Sequence, residues 1–457
     1  MKENTLSIKF LGAAGTVTGS KHLLKTKHTQ VLVDCGLYQG LKKLREKNRE
    51  PFPVQIASIN AVVITHAHLD HCGYLPVLVK NGYKGRILMT APTKELVELI
   101  LRDSAKIQEE EAYQANKEGY SKHSPATPLY TESDVDNVIE LIETHQDRER
   151  VRISEDITVE FIKNGHILGS TSLEFHIEGR KVIFSGDLGR GNDDLLAAPE
   201  VPEGAEFLVL ESTYGDRIHP KEDVLDLLES VILNTWERGG TTIIPSFAVG
   251  RAQEILYLIN ELKDLKRIPA IPVYLDSPMG TSATEIFLRY SGWHKLSNKK
   301  IYNLDRHIKF VKDIRETQRI IKDEKRKIVI AASGMITGGR VLNYISQLGW
   351  DPLNTILLVG YQGEGTRGRS LKEGAKELKI RGKYVQIGAE IQTIDSLSAH
   401  ADQKGMIDWV KAMNQIPEKI ILVHGEPTAQ NVFRVKLQDE LGVEVLVPEL
   451  LDEIKLQ

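Results

Sequence analysis

A short segment rich in metal-ligating side chains follows a predicted buried strand. The segment is THAHLDH, and its candidate ligands are His66, His68, Asp70 and His71. It directly follows AVVIT, an apolar β-branched run that predicts a strand over residues 61–65. Histidines two residues apart in an extended chain reach the same side, and the next two residues turn toward a second point nearby. Because one ion cannot easily use four ligands from so short a loop, the spacing predicts two adjacent metal ions.

The ligand types indicate which metal this segment would bind. Zinc is commonly held by imidazole nitrogen and carboxylate oxygen. Zinc is therefore the predicted ion, and manganese is the alternative. A polar loop that is rich in histidine by chance is the competing interpretation, and the tight HxHxDH spacing argues against it.

Two later strand ends carry further candidate ligands. His166 lies in NGHILGS, and Asp187 lies in VIFSGDLGR. Taken alone, His166 would more often be a hydrogen-bonded turn residue, and Asp187 would more often be a turn or capping residue. A carboxylate has two oxygens and can bridge two cations, which a neutral imidazole cannot do.

The elements that must position these residues change character along the chain. Short β segments are mixed with helices, predicted over 93–118 and 132–145, in the first part of the sequence. From residue 208, apolar strands alternate with helices of about 10–15 residues, a rhythm that predicts a parallel α/β layer. Short β segments then return. The sequence therefore predicts a first domain over 1–207, an inserted domain over 208–385, and completion of the first domain by 386–457.

The composition excludes several classes of protein. The 457 residues carry a net charge of −4, with 41% hydrophobic and 27% charged residues, which is ordinary for a globular protein. The two cysteines, Cys35 and Cys72, argue against a disulfide scaffold and favour a reducing, cytoplasmic location. Neither an apolar run of about 18 residues nor a signal-peptide core occurs, so no membrane span is expected.

With its ligand motifs in this order, the first part of the chain resembles the metallo-β-lactamase fold. The matching motifs are HAHLDH, GHILGS and SGDLGR, with Asp34 closing VLVDCG. The resemblance implies an α/β fold, an αββα sandwich with a dinuclear centre at the edges of its sheets. The implied ligands of the first metal are His66, His68 and His166.

The same resemblance also implies the second half of the centre. The second metal would take Asp70 and His71, and Asp187 would bridge the two ions. Asp34 would support the ligand loop from behind as a hydrogen-bond acceptor.

The remainder of the chain resembles the β-CASP nucleases, in which an α/β domain interrupts that fold. Glu211 in LVLESTYGDR, His400 in SLSAHAD and His424 in ILVHGEP match three motifs of this branch. The resemblance places His424 on the second metal and favours RNA over DNA, because DNA-processing relatives usually carry valine there. The chain resembles short bacterial and archaeal relatives of the endonuclease subunit of the eukaryotic pre-mRNA 3′-processing complex.

The implied reaction is hydrolysis of phosphodiester bonds in single-stranded RNA with two Zn²⁺ ions. We expect endonucleolytic and also 5′-exonucleolytic cleavage that leaves 3′-hydroxyl and 5′-phosphate ends. His400 would act as the general acid with Glu211 orienting it, Asp70 would hydrogen-bond the attacking water, and Asp34 would assist near the site. A DNA nuclease, a small-molecule metallo-hydrolase of the same fold and a non-catalytic RNA-binding scaffold are the alternatives.

Local charge agrees with an RNA partner. Residues 295–327 hold twelve Lys or Arg against five Asp or Glu, and residues 361–383 hold seven against three. Solvated helix faces are the competing interpretation of the first stretch. The predicted phosphate-binding residues lie beside glycines in loops at strand ends, and they are Arg251, Ser333, Gly334, Arg340, Arg367 and Arg369. The expected partner is single-stranded RNA, no membrane partner is expected, and a homodimer is left open.

Overall fold

The computed structural model describes residues 6–119, 125–220, 222–297 and 307–456. Backbone contacts divide the chain into two compact units. Unit 1 joins Met1–Ile218 to His400–Gln457, and unit 2 is His219–Ala399. None of the described helices is both long enough and apolar enough to cross a membrane.

The two junctions lie later in the chain than the boundaries expected at 207/208 and 385/386. Strand Phe207–Glu211 pairs with Arg180–Phe184 on one side and with Lys419–Val423 on the other, so it belongs to unit 1. Strand Glu390–Ile394 pairs with Thr355–Val359, which places it in unit 2. The apolar rhythm of the sequence marks both segments as strands, but only their pairing partners decide which sheet each one joins.

Unit 1 is built on two seven-stranded mixed sheets. The strands of the first sheet, in spatial order, are Glu453–Lys455, Ser7–Phe10, His22–Lys25, Gln30–Val33, Ala61–Val63, Arg86–Thr90 and Ile142–His145. The strands of the second are Glu444–Leu446, Lys419–Val423, Phe207–Glu211, Arg180–Phe184, Thr171–Ile177, Ile157–Lys163 and Arg150–Arg152. Val33 and Val63 of the first sheet share one buried core with Phe161, Phe175 and Val209 of the second.

Helices pack outside this pair of sheets. The helices of unit 1 are Lys42–Glu46, Leu69–Cys72, Leu75–Lys80, Ala91–Glu118, Glu132–Ile139, Gln403–Lys411 and Pro427–Leu441, with 3₁₀ turns at Lys47–Arg49 and Ile56–Ser58. Trp409 and Phe433 pack against Leu208 and Leu422 of the second sheet. Helix Ala91–Glu118 contacts two strands of the first sheet. The predicted αββα sandwich is confirmed.

Capping residues explain the bounds of one predicted helix, and strand pairing explains why the other is shorter than predicted. The helix expected over 93–118 is Ala91–Glu118, in which the Thr90 side chain caps the N-terminus and Gly119 ends it in the left-handed region at φ 67°. The helix expected over 132–145 ends at Ile139, and its last part was wrongly predicted. Residues Ile142–His145 instead form an edge strand, because they pair in parallel with strand Arg86–Thr90.

Unit 2 contains the predicted parallel layer. Its six parallel strands, in spatial order, are Ile308–Phe310, Val273–Asp276, Ile328–Ala331, Thr242–Pro245, Thr355–Val359 and Glu390–Ile394. Its described helices are Val224–Arg238, Arg251–Asp264, Pro278–Arg289, Ile314–Lys322, Val341–Leu348 and Arg367–Lys372, with 3₁₀ turns at Ser291–Trp293 and Asp395–Leu397. A separate antiparallel hairpin pairs Glu377–Ile380 with Lys383–Gln386.

Candidate metal centre

The HxHxDH segment passes from extended backbone into a one-turn helix. It begins just after strand Ala61–Val63 and continues into helix Leu69–Cys72, which carries Asp70 and His71. His68 is the last extended residue before that helix, at φ −64° and ψ 146°. The change of conformation separates the direction of the first two histidines from that of the next two ligands, as the sequence predicted.

The first group of ligand atoms comes from three histidines and a carboxylate. One ligand atom from each of His66, His68, His166 and Asp187 lies within 4.8 Å of all the others. The Nδ1 atom of His68 is 3.1 Å from His66 Nε2 and 3.2 Å from His166 Nε2. Asp187 Oδ2 lies 3.5 Å from each of those two Nε2 atoms. These four side chains could therefore hold one metal ion.

A second group lies beside the first. Ligand atoms of Asp70, His71 and His424 also lie within 4.8 Å of one another. The other oxygen of Asp187, Oδ1, is 3.4 Å from His71 Nε2 and 3.5 Å from His424 Nδ1. Each carboxylate oxygen of Asp187 thus faces a different group, which is the geometry of a bridging ligand.

Two buried atoms test whether these residues fit metal ions. Neither His71 Nε2 nor Asp187 Oδ1 makes a hydrogen bond with any described residue, although both are buried. A buried polar atom without a partner is costly unless something else satisfies it. Two such atoms that face each other in a histidine-rich site fit a divalent cation that prefers imidazole and carboxylate ligands.

A buried aspartate sets the orientation of two histidines. Asp34 accepts a hydrogen bond of 2.7 Å from His71 Nδ1, and both its oxygens lie 3.0 Å from the Thr65 hydroxyl, which donates to it. That hydroxyl lies 3.0 Å from His66 Nδ1. Because its own hydrogen points to Asp34, the Thr65 oxygen can only accept from His66. Both histidines therefore carry a proton on Nδ1, which leaves Nε2 as the ring atom available to a metal in the site.

A second threonine lies beside His424. The Thr213 hydroxyl lies 3.2 Å from the backbone oxygen of His424, to which it can donate, and 3.0 Å from His424 Nδ1. The other ring nitrogen of His424, Nε2, lies 3.4 Å from Asp70 Oδ2. Sequence reasoning missed both Thr65 and Thr213. The available signal was their position, directly before His66 and two residues after Glu211.

His400 and Glu211 form a pair beside the ligands. His400 Nδ1 lies 3.1 Å from both oxygens of Glu211, which is fully buried. Glu211 also accepts a hydrogen bond of 2.6 Å from the backbone N–H of Leu188. The His400 ring centroid is 4.5 Å from that of His166. Burial lowers the pKa of His400, but the charge and hydrogen bond of Glu211 outweigh it and raise this pKa to about 9.

Burial and neighbouring charge also shift the pKa values of the ligands. Burial lowers the pKa of His66 well below its usual range and that of His68 to about 4, so both rings are neutral. Burial opposes the ionisation of Asp187, yet the surrounding imidazoles, His424 first, hold its pKa well below the usual range. Burial also lowers the pKa of His71, but the charges of Asp187 and Asp34 outweigh it and raise this pKa well above its usual range, so His71 must release a proton when it ligates a metal.

The predicted phosphate-binding arginines are largely occupied by contacts within unit 2. Arg251 is buried and pairs with Glu254. Arg340 pairs with Asp276 and donates from Nη2 to the backbone oxygen of Lys312. The guanidinium groups of both residues therefore already have protein partners.

The other predicted phosphate-binding residues lie around one loop. Arg367 donates to the backbone oxygens of Lys379, Ile336 and Thr337, and Arg369 bonds to Glu373. The Ser333 hydroxyl accepts from the backbone N–H groups of Thr337 and Gly338, which closes a turn. Gly334 is packed so closely that a Cβ atom would lie 2.7 Å from the Phe247 ring. Of the basic stretch 295–327, residues 298–306 lie outside the described residues.

Three family profiles match the chain in the order of its domains. The Metallo-beta-lactamase superfamily matches residues 20–235, the Beta-Casp domain matches 252–371, and the Zn-dependent metallo-hydrolase RNA specificity domain matches 384–448. A crystal structure of a protein of unknown function from Enterococcus faecalis covers 99% of this chain and 100% of its own, with a TM-score of 0.54. At 13% identity, that likeness supports the fold alone.

Three curated relatives are similar over nearly the whole chain. Ribonuclease TTHA0252 of Thermus thermophilus is 34% identical, covering 91% of this chain and 92% of its own. The RNase J-like protein of Methanocaldococcus jannaschii is 33% identical, over 96% and 97%. Transcription termination factor FttA of the same organism is 33% identical, over 99% of this chain and 72% of its own. Together with the site described above, these matches show that the chain belongs to the β-CASP family of metallo-β-lactamase-fold proteins.

Proposed function

We propose that this protein is a metal-dependent ribonuclease that hydrolyses phosphodiester bonds of single-stranded RNA. The observation that carries the proposal is Asp187, whose two oxygens face two separate groups of ligand atoms. The His400–Glu211 pair beside them supplies a proton donor that a purely structural metal site would not need. Relatives named as ribonucleases and an RNA specificity domain support RNA as the substrate.

Two zinc ions are the cofactors that the donor set favours. Five imidazoles and two carboxylates suit zinc better than magnesium or calcium, which prefer oxygen ligands. When bound, a pair of such ions would polarise the phosphodiester and lower the pKa of the attacking water. Asp70 is half-buried and its Oδ2 lies 3.4 Å from His424 Nε2, so we place it as the acceptor of a hydrogen bond from that water.

The leaving oxygen needs a proton, and His400 is the group that would donate it. Its Nδ1 proton is held by Glu211, so the charged form of the ring is stabilised and its other nitrogen, Nε2, is the donor. Because water is the nucleophile, the 2′-hydroxyl is not consumed. The expected products therefore carry 3′-hydroxyl and 5′-phosphate ends.

RNAs with different ends test the proposal. We would incubate the purified chain with end-labelled RNA that bears a 5′-triphosphate or a 5′-monophosphate, and with a circular RNA of the same sequence. Cutting of the circle shows endonuclease activity, and a strong preference for the monophosphate shows 5′-exonuclease activity. A DNA of the same sequence should stay intact. Failure to cut any of the RNAs, with both metals bound, contradicts the proposal.

We expect two zinc ions per chain. Seven ligand side chains in two groups that share Asp187 provide enough donors for two tetrahedral or five-coordinate ions. Elemental analysis of protein purified without added metal measures the stoichiometry. A value near one that zinc supplementation does not raise would refute the dinuclear centre.

Asp34→Asn should weaken zinc binding without abolishing the fold. The carboxylate holds both His71 and, through Thr65, His66 in the ligating tautomer. Asn is chosen because Asp34 has a φ of 60°, which Asn tolerates better than most residues. Partners of this kind typically affect metal affinity by about 10–100-fold. Competition with a zinc chelator measures the change, and an unaltered affinity would exclude the supporting role of Asp34.

The homodimer stays a prediction, and light scattering of the purified protein would measure its oligomeric state.

A further inference from the structure

We propose that the antiparallel hairpin of unit 2 is a second binding surface for single-stranded RNA, separate from the metal centre. This surface, called the basic hairpin below, consists of strands Glu377–Ile380 and Lys383–Gln386 with the connecting residues Arg381 and Gly382. The proposal rests on the ribonuclease function proposed above and adds a place where the substrate is held. The basic stretch 361–383 noted in the sequence includes most of this hairpin, but none of the residues named individually as phosphate-binding lies in it.

The two faces of the basic hairpin differ in character. Leu378 and Ile380 are buried in the core of unit 2, and Val385 packs against the same cluster. Strand pairing sets Lys379 directly opposite Tyr384. Alternation along the strands therefore puts this second pair on the outer face, away from the core. The hairpin is thus anchored on one side and presents a polar face on the other.

Four exposed cations in or beside the basic hairpin have no acidic partner among the described residues. Lys379 lies on the outer face, whereas Lys383 pairs with Ile380 at the end of the hairpin beside the turn. Lys376, Lys379, Arg381 and Lys383 are all exposed, and none forms an ion pair with any residue that the structure describes. The neighbouring Glu377 accepts a hydrogen bond from the neutral Gln386 and keeps its charge, so residues 376–386 carry four basic side chains against one acidic side chain, a net charge of +3. Elsewhere in unit 2, by contrast, Arg251, Arg340 and Arg369 already pair with carboxylates. Uncompensated positive charge of this density attracts phosphate groups and releases their counterions.

An exposed aromatic ring lies among these cations. Tyr384 is 67% exposed, and the Lys379 ammonium lies 5.9 Å from its ring centroid. An exposed ring beside unpaired cations suits an unstacked base next to phosphates, which is how proteins hold single strands. A duplex hides its base faces and would not use the ring.

The turn of the basic hairpin places a cation where one is sterically unfavourable. Arg381 has a φ of 48° and Gly382 a φ of 79°, so both central residues of this two-residue turn are left-handed. Such turns strongly favour Asn-Gly or Gly-Gly. An arginine at this position exposes its charge at the tip of the hairpin at a conformational cost. The turn therefore adds the charge of Arg381 to that of the lysines on the strands.

The test removes the charges and leaves the fold. We would combine Lys379→Ala, Arg381→Gly and Lys383→Ala in the full chain with His400→Ala, so that the RNA stays intact. Glycine suits the left-handed turn, so the triple variant should fold at least as well. Binding of a fluorescent uridine homopolymer should weaken by about 10–100-fold at 0.1 M salt. The log–log salt slope should fall by roughly 0.7 for each phosphate that the protein no longer neutralises, or about 2 for three phosphates.

Two matched controls separate a specific surface from general charge. Lys266 is another exposed cation of unit 2 with a left-handed backbone, at φ 56°, and Lys266→Gly should leave RNA binding unchanged. Tyr384→Ala should weaken binding about fivefold or more through loss of base stacking, whereas Tyr384→Phe should retain it. Equal losses for the triple variant and Lys266→Gly, or no loss for Tyr384→Ala, would overturn the proposal. So would displacement of the RNA by polyglutamate of equal charge with no dependence on Tyr384, because the occupant would then be an acidic polypeptide.

The outcomes also distinguish this proposal from the proposed function. With His400 present, the triple variant should hydrolyse a nitrophenyl phosphodiester at the wild-type rate, since the metal centre is untouched. If the unaltered chain cuts RNA and the triple variant binds RNA equally well, the basic hairpin is not an RNA surface but the ribonuclease function stands. If the unaltered chain neither binds nor cuts RNA, the ribonuclease function itself is wrong.

Discussion

Asp187→Asn should reduce RNA hydrolysis by at least about 1,000-fold. Asn keeps the size of the side chain but replaces one carboxylate oxygen with an amide nitrogen, which cannot ligate a cation. The two oxygens of Asp187 face the two ligand groups separately, at 3.5 Å from His66 and 3.4 Å from His71. The electrostatic contribution of metal ions to phosphoryl chemistry is several kcal/mol, and each 1.36 kcal/mol is a factor of about ten in rate.

The measurement pairs cleavage with metal content and RNA binding. We expect the variant to retain most of its affinity for RNA, because the basic hairpin lies in unit 2. Asp194→Asn is the matched control, since Asp194 is an exposed carboxylate only a short distance further along the same chain segment. Its cleavage rate should equal that of the unaltered protein. A wild-type rate in Asp187→Asn would exclude the bridging role.

His400→Ala should slow RNA cleavage by about 10²–10⁴-fold while both metals stay bound. A positioned general acid contributes an effect of this size. His66, His68 and His166 with Asp187 complete the first ligand group, and a second group forms without His400. His400 instead donates its Nδ1 proton to Glu211, which leaves Nε2 to serve the substrate. Loss of the ring should therefore remove proton donation and leave coordination intact.

The choice of leaving group distinguishes proton donation from a structural role. A nitrophenolate leaves without a proton, so His400→Ala should slow hydrolysis of a nitrophenyl phosphodiester much less than hydrolysis of RNA. Glu211→Gln should follow the same pattern more weakly, because it alters only the orientation and charge of the His400 ring. Elemental analysis confirms the metal content. Loss of an ion, or equal losses on both substrates, would make His400 a ligand or a structural residue.

The sequence alone determined the chemistry that is local along the chain. In HxHxDH the ligand types and their spacing sit on consecutive residues, and the preceding apolar run marks the strand that presents them. The rhythm of strands and helices after residue 208 likewise predicted the parallel layer of unit 2, because periodicity reflects which side chains must be buried. The remaining ligands, His166, Asp187 and His424, and the αββα fold were implied only by the resemblance of the motif series to a known family.

Tertiary structure decided everything that depends on partners distant in sequence. His424 meets Asp70 across 354 positions, and Asp34 orients His71 and Thr65 through contacts that no local pattern reveals. Residues 142–145 form a strand because they pair with the strand Arg86–Thr90 at the edge of the first sheet. The arginines predicted to bind phosphate instead form ion pairs with carboxylates or hydrogen bonds to carbonyl oxygens within unit 2. The exposed cations of the basic hairpin form no ion pair with a described residue. Charge is visible in a sequence, but whether that charge is already neutralised depends on which atoms the fold brings within a few ångströms.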